Sequence, residues 1–497
     1  MNLDDKLKTL RERLGEISGV GAAIALLEWD QETYMPPQGA AGRGLQLATI
    51  VGIAHRLFTA TDLGDLLREL RDERDKLCDD DNAIVSETLY DYERARKLPE
   101  SFVKEFAEVQ SAAFNVWMKA REESDFTQFK PYLSRIVELC RAKADMFGYE
   151  DSPYDALLEE FERGARTKSL KIIFAELAER QGALVREASC RLTPVPEWLS
   201  QEWNDAAQWS LSIRMLKDIG FNMNAGRQDR SAHPFTTTID YDDIRVTTRI
   251  HADQLFSGLL SSLHEGGHAL YEQGFLEKDA RTPLCQAPSL GMHESQSRLW
   301  ENIIGRSLPF WEYYLPILRE YFPGKLDSVN AEDIHRAINR VEPSLIRTEA
   351  DECTYNLHII VRFEIETGLI EGNVKVEDVP ALWSEKMRKY LGIEAPNDAQ
   401  GCLQDVHWSH GSFGYFPTYA LGNLYSAQIF EKASQDMPHI WDDVASGNFS
   451  PLREWLRVNV HQRGRRKTAP ELVMEITGME PTADAYLRYL TKKCSSL

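Results

Sequence analysis

Along nearly all of its 497 residues the chain repeats apolar side chains at the 3.6-residue period of an amphipathic helix, and it leaves that period in one place. A chain patterned this way buries its apolar stripes by packing helix on helix. The period is plainest over residues 3–27, 81–98, 102–121, 129–147 and 170–192. Gly and Pro fall mainly between such stretches, as in Met35-Pro36-Pro37, Pro194-Val195-Pro196 and Tyr321-Phe322-Pro323-Gly324. No repeat, low-complexity tract or long linker marks a boundary. The expectation is a mainly α protein, residues 1–497 as one large domain in two lobes, with core enough on either side of an active-site groove.

The exception is Pro234 to His251, PFTTTIDYDDIRVTTRIH. Phe235, Thr237 and Ile239 alternate, as do Ile244, Val246, Thr248 and Ile250, which predicts a β-hairpin turning at Asp240-Tyr241-Asp242-Asp243. Arg245, Thr247 and Arg249 then share the other face of the second strand. The hairpin leads into residues 253–273, DQLFSGLLSSLHEGGHALYEQ. Leu255, Leu259 and Leu263 give this segment a buried helical face, with Asp253 as the expected N-cap and Gly274 as the expected C-cap.

Within that helix stands His264-Glu265-Gly266-Gly267-His268, an H-E-x-x-H. Four residues make about one turn, so both imidazoles point the same way and can grip one zinc ion. Glu265, one residue round, can take a proton from a water on that metal. Composition alone would produce such a motif roughly 0.02 times per chain, and two glycines inside a helix cost about 1 kcal/mol each against Ala. A helix kept only for structure would hardly carry them.

A third ligand is required. The metzincin extension would place Gly at 271 and His at 274, where this chain has Tyr271 and Gly274. Glu272 would set three ligands in a line on one helix, which cannot make a tetrahedron. The ligand must come from another segment, and His293 to Asn302 reads as a helix start rich in polar groups. Glu294 is the choice, Glu301 two turns later is the reserve, and His293 fits less well with a two-His-one-Glu catalytic set. Three protein ligands leave a position open for water, which implies amide hydrolysis through a tetrahedral intermediate needing oxyanion donors.

Composition narrows the partners. A net charge of −21 argues against general binding to nucleic acid or anionic membranes. No apolar run approaches the ~18 residues of a membrane span, and the charged, helical pattern of residues 1–13 is not that of a signal peptide. The seven cysteines are odd in number, scattered and without a CxxC, so a disulfide framework is not expected and a reducing cytoplasm is.

With these residues in view, the chain resembles the thermostable carboxypeptidase Taq family of zinc metallocarboxypeptidases. The likeness runs from Trp29-Asp30-Gln31-Glu32-Thr33-Tyr34-Met35-Pro36 to the C-terminal third. Six patterns stand in the family's order: His233-Pro234-Phe235; Asp243-Ile244-Arg245-Val246-Thr247; His264 to His268; His293-Glu294-Ser295-Gln296; Ile346-Arg347-Thr348-Glu349-Ala350-Asp351; and Gly401-Cys402-Leu403-Gln404-Asp405-Val406-His407-Trp408. The resemblance implies a helical protein with a deep groove, similar in shape to neurolysin and angiotensin-converting enzyme. It implies a homodimer that removes single residues from the free C-termini of peptides, with broad preference and proline usually excepted. It also implies zinc, with cobalt able to substitute, Glu294 as third ligand and Glu265 as general base.

Further roles follow from chemistry combined with those patterns. A free carboxylate calls for a bidentate Arg, and Arg245 and Arg347 are the candidates. Arg347 is expected in a helical stretch with Asp351 at i+4, Asp351 orienting it or supporting a zinc histidine. His407, His410, Tyr415 and Tyr419 are candidate oxyanion donors; likeness to neurolysin-like sites favours His407 with Tyr415 or Tyr419. His233, before a Pro at a strand start, is a candidate substrate-side residue or a turn stabiliser. The rival readings are an aminopeptidase, an endo-acting oligopeptidase of neurolysin type, and an inactive zinc-containing peptide-binding protein. Intact His264, Glu265, His268 and Glu294 count against the last.

Overall fold

The computed structural model describes residues 1–192 and 194–495. Most of them are helical, and side-chain caps mark where helices start. Asn2 accepts the Asp5 N–H and starts the first helix, Leu3–Thr33. Asp125 does the same for Phe126–Phe147 by accepting from Thr127, so that helix begins ahead of its first apolar repeat. Among the described residues no helix is long and apolar enough to cross a membrane.

Among the described residues two apolar clusters form. The smaller joins Leu10 and Leu14 to Leu63, Leu67, Leu70, Ile84 and Val85. The larger surrounds the helix Glu352–Glu371, which is buried on every side: Leu357, Ile359, Val361 and Ile365 are all 0% exposed. This helix has no polar stripe, and its polar members Tyr355, Arg362 and Glu366 must find partners inside the core.

The predicted hairpin is present as β2 (Thr236–Asp240) and β3 (Asp243–Thr248), antiparallel with Thr236 opposite Val246 and a shift of register between Thr238 and Asp240. A further strand, β1 (Gly226–Arg230), pairs parallel with β3 on its other side. Its sequence, GRQDR, lacks the β-branched signal, and neighbouring strand and helix hold it extended. Ile244, Val246 and Thr248 are buried, as their alternation requires. On the opposite face the Arg245 and Arg227 guanidinium groups lie 4.4 and 5.4 Å from the Trp29 ring, and the Tyr34 hydroxyl donates to Asp229 at 2.5 Å. These contacts tie the end of the first helix to the sheet.

The H-E-x-x-H helix spans Leu255–Glu272. The expected caps are not used: Gln254 precedes the helix without a side-chain cap bond, and Gln273 closes it. Gly274 serves closeness instead, since a Cβ there would stand 2.4 Å from the His461 ring. The two motif glycines have the same cause. A Cβ on Gly266 would meet the Leu216 and Ile219 side-chain tips at 2.7 and 2.9 Å, while one on Gly267 would meet the Gln296 carbonyl and the Ser297 Cα, both at 2.6 Å. Gly267 therefore lets this helix touch the backbone of the helix Leu290–Arg298, which carries Glu294.

Backbone cannot yield as side-chain tips can. Gly267→Ala should lose about 1–3 kcal/mol of stability to overpacking, despite gaining about 1 kcal/mol of helix propensity, whereas Gly266→Ala should be close to neutral. Thermal unfolding of the two variants checks this; equal effects would contradict it.

Candidate metal centre and substrate site

The two motif imidazoles converge on the neighbouring helix. His264 Nε2 lies 3.6 Å and His268 Nε2 3.3 Å from Glu294 Oε2. His264, His268 and Glu294 offer ligand atoms that all lie within 4.8 Å of one another. A tetrahedral shell with zinc bonds of about 2.1 Å has edges of roughly 3.4 Å, so the donor set fits such an ion. Glu294 is placed by its helix: Ser289 caps the start by accepting from Met292, and Gly422 leaves room for the helix Phe416–Asp436 to close on the Glu294 stem. Its other oxygen accepts from Arg298 Nε at 2.6 Å.

Beyond Arg298 the helix opens into a π-helical turn, Leu299–Ile304, which aims Glu301 at the site. Glu301, the reserve ligand of the sequence reading, stands one layer out: its Oε2 is 2.9 Å from His264 Nδ1. With the proton on Nδ1, the Nε2 lone pair faces Glu294, which is the tautomer a metal ligand needs. His293 turns to Glu272, Nε2 to Oε1 2.8 Å, and its ring stacks on His268 at 4.4 Å. A cavity of about 490 Å³ opens beside it, lined among others by Phe161, Glu272, Ser289 and His293.

Charge is tightly arranged. Burial would raise the Glu294 carboxyl, but Arg298, His264 and His268 hold it well below the usual carboxylate range. Burial, with His293 beside it, pushes His268 down to about 3. Burial also works against a proton on His264, yet Glu294, Glu301 and Glu265 outweigh it and raise that group to about 9. Glu265 is 6% exposed, and burial raises its carboxyl even though the Thr236 hydroxyl donates to it at 2.6 Å.

A second cluster surrounds Arg347. Its Nε and Nη2 donate to Asp405 Oδ1 at 3.0 and 2.8 Å, and its Nη1 donates to the Tyr355 hydroxyl at 2.8 Å. Arg362 donates to the other Asp405 oxygen at 2.7 Å. Burial would raise Asp405, but the two guanidinium groups hold it far below the carboxylate range. The expected Arg347–Asp351 pair is not formed. Residues 347–349 make a 3-10 turn that ends before Asp351, whose carboxylate caps the helix Glu352–Glu371 by accepting from Cys353 and Thr354. Asp351 therefore neither orients Arg347 nor supports His264, whose Nδ1 faces Glu301.

His407, Tyr415 and Tyr419 gather beside Arg347. The Tyr419 hydroxyl is 3.4 Å from His407 Nε2, the Tyr415 ring is 5.2 Å from the His407 ring, and the Arg347 guanidinium is 5.0 Å from the Tyr419 ring. Burial pushes His407 down to about 3, so it is a neutral imidazole at pH 7. The other candidates lie apart. His410 is exposed and its ring stacks on Phe114; His233 is exposed at a turn where its carbonyl accepts from Ser231. Arg245 gives its Nε and Nη2 to Asp243 and its face to Trp29.

The model of the carboxypeptidase Taq (M32) metallopeptidase family matches residues 9–494. The chain belongs to this family. It is 42% identical to thermostable carboxypeptidase 1 of Thermus thermophilus over 99% of this chain and 98% of that protein. It is 38% identical to carboxypeptidase 1 of Bacillus subtilis over the same shares. Among solved structures, the M32 carboxypeptidase of Deinococcus radiodurans R1 superposes with a TM-score of 0.97 at 38% identity, covering 99% of both chains.

For a metallopeptidase of this family, the sequence reading overlooked Asp405 as the brace of Arg347, Arg298 and Tyr355 as the link between the two clusters, and Thr236 as the partner of Glu265. Asp405 lay inside one of the family patterns and Arg298 stands at i+4 from Glu294, which were the available signals; Tyr355 and Thr236 have none in local spacing. Glu366 was overlooked as well. Fully buried, it accepts from the Trp408 indole at 2.9 Å, the Tyr154 hydroxyl at 2.6 Å and the Gly414 N–H at 3.2 Å, fixing the loop between His407 and Tyr415.

Burial pushes the Glu366 carboxyl up from 4.5 to about 7. Between those values the folded chain holds a proton that the unfolded chain has lost, so this group's contribution to stability falls as pH rises through the window and is level above it. Between about pH 5 and about pH 7 the thermal midpoint of metal-free wild type should therefore fall relative to that of Glu366→Gln, whatever slope the buried histidines give to both. A difference between the two proteins that does not change with pH would contradict the assignment.

Proposed function

We propose that this metallocarboxypeptidase holds one zinc ion on His264, His268 and Glu294 and releases single amino acids from the free C-terminus of peptides. The supporting observation is the buried chain Glu294–Arg298–Tyr355–Arg347–Asp405, which sets a guanidinium beside the metal ligands: Arg298 donates to Glu294 at 2.6 Å and stacks 4.5 Å from the Tyr355 ring, and Tyr355 accepts from Arg347. Arg347 and Arg362 against the single Asp405 leave a positive excess there, suited to a substrate carboxylate.

Zinc, when bound, would polarise the scissile carbonyl and lower the pKa of water, and cobalt has the same donor preferences in such a site. Glu265 takes the proton of the attacking water and delivers it to the leaving amine. Thr236, by donating to Glu265, holds the carboxylate in place. The neutral His407 and the Tyr415 and Tyr419 hydroxyls, gathered beside Arg347, serve the oxyanion. Arg245 and Asp351 act as anchors of the sheet and of the Glu352–Glu371 helix. Resemblance to the family supports a single catalytic domain and a homodimer, and the odd, scattered cysteine set favours a reducing cytoplasm.

An N-acetylated ten-residue peptide, beside its C-terminally amidated twin, tests the reading by mass spectrometry with and without chelator. The expected result is a ladder of single C-terminal losses that the amide and the chelator both abolish. Internal fragments from both peptides would mean an oligopeptidase, and the carboxylate clamp would fall. Glu265→Gln should keep its zinc and lose at least about 10²–10⁴ in kcat; substantial residual turnover would remove Glu265 from the mechanism.

A further inference from the structure

Glu162 lies in the turn between the helices Pro153–Leu158 and Thr167–Ser189, far along the chain from the metal ligands, and is 0% exposed. Among the described residues no Lys or Arg pairs with its carboxyl group. Its partners are neutral hydrogen-bond donors: the Gly291 N–H and the Ser289 hydroxyl at the start of the Leu290–Arg298 helix, and the Tyr425 hydroxyl of the Phe416–Asp436 helix at 3.4 Å. A second stitch joins the same two segments, where Leu290 N–H donates to the Phe161 carbonyl at 3.0 Å. The first N–H groups of a helix have no partner within it, so this turn supplies what the helix start lacks. Gly291 has no Cβ because one would overlap the Glu162 carboxyl group.

Glu294 stands one turn beyond Gly291 on a helix of only nine residues. Its stem is gripped from the other side by the backbone at Gly422, and Gly267 presses on the same helix at Gln296 and Ser297. Arg298 and Ser297 hold the carboxylate from the C-terminal side, and the start of the helix is the point on its other side that sets how Glu294 meets the imidazoles.

We propose that Glu162 is a positioning residue for the metal centre: by binding the Gly291 N–H it fixes where the Leu290–Arg298 helix begins and hence where Glu294 meets His264 and His268. The inference rests on the metal reading above. Burial pushes the Glu162 carboxyl up to about 8, against its three hydrogen bonds. As a neutral acid it offers one acceptor to Gly291 and one hydroxyl to its neighbours, and a glutamine side chain has the same shape and the same acceptor.

The test is zinc affinity, read by competition with a chromogenic chelator, for wild type, Glu162→Gln, Glu162→Leu and Gly291→Ala, with thermal unfolding of each metal-free protein beside it. Glu162→Leu should bind zinc about 10–100-fold more weakly than wild type while its metal-free form keeps the wild-type circular dichroism, and Glu162→Gln should stay within about threefold. Gly291→Ala keeps the acid but forces it off the helix start, and should show the same loss as Leu even where the Leu variant fails to fold. Wild-type affinity in either Leu or Ala, whatever its stability, would overturn the inference. So would equal losses in Gln and Leu, since shape and acceptor would then not matter. Wild-type protein that takes up no zinc would bring down the metal reading itself, and this inference with it.

Discussion

The Glu294 carboxylate is the interaction on which the rest of the site depends. It is a buried anion, 7% exposed, with two imidazoles on one side and the Arg298 guanidinium on the other. A buried charge is tolerable only when it is paired and its lone pairs are used, and here both oxygens are occupied. The surrounding architecture serves that placement. Two glycines let the H-E-x-x-H helix lie against its neighbours, Gly422 lets a third helix close behind Glu294, and the π-helical turn after Arg298 swings Glu301 onto His264.

The same logic extends through the core. From Arg298 the contacts pass to Tyr355 and on to Arg347, Asp405 and Arg362, so the proposed metal ligands and the proposed carboxylate clamp share one polar network in a helix-packed interior. A core of this kind is not the most stable one available to these helices, since buried ionic networks are often replaceable by apolar packing without loss. What it provides is orientation. The Arg347 guanidinium is held on two edges by Asp405 and Tyr355, so in the proposed role as a carboxylate clamp its ordering does not have to be met from binding energy. Glu366 performs the same service for the loop that bears His407 and Tyr415.

How much of this could be read from the sequence follows from how local each signal is. The helical class, the hairpin and the His264–His268 pair depend on spacings of a few residues, and the period reveals them. Glu294 was reachable because geometry excludes Glu272 and the polar helix start downstream is close. The helix expected from residue 129 begins at Phe126 because the Asp125 cap outranks the apolar period. β1 was missed because GRQDR has no strand propensity and is extended by its partner β3. Arg347 was given the wrong partner because i+4 is the only neighbour spacing can offer, whereas Asp405 lies 58 residues away. Glu301, Thr236 and Glu162 act across 37, 29 and 129 residues, distances at which periodicity is silent.

The central claim is that His264, His268 and Glu294 together form one metal centre. The most direct measurement is the zinc K-edge X-ray absorption spectrum of the zinc-loaded protein. The account predicts a shell of nitrogen and oxygen only, at about 2.0–2.2 Å, with the outer-shell scattering of two imidazoles, and in Glu294→Gln either loss of the ion or a shell short of one ligand. A sulfur scatterer, a single imidazole, or an unchanged spectrum in Glu294→Gln would contradict it.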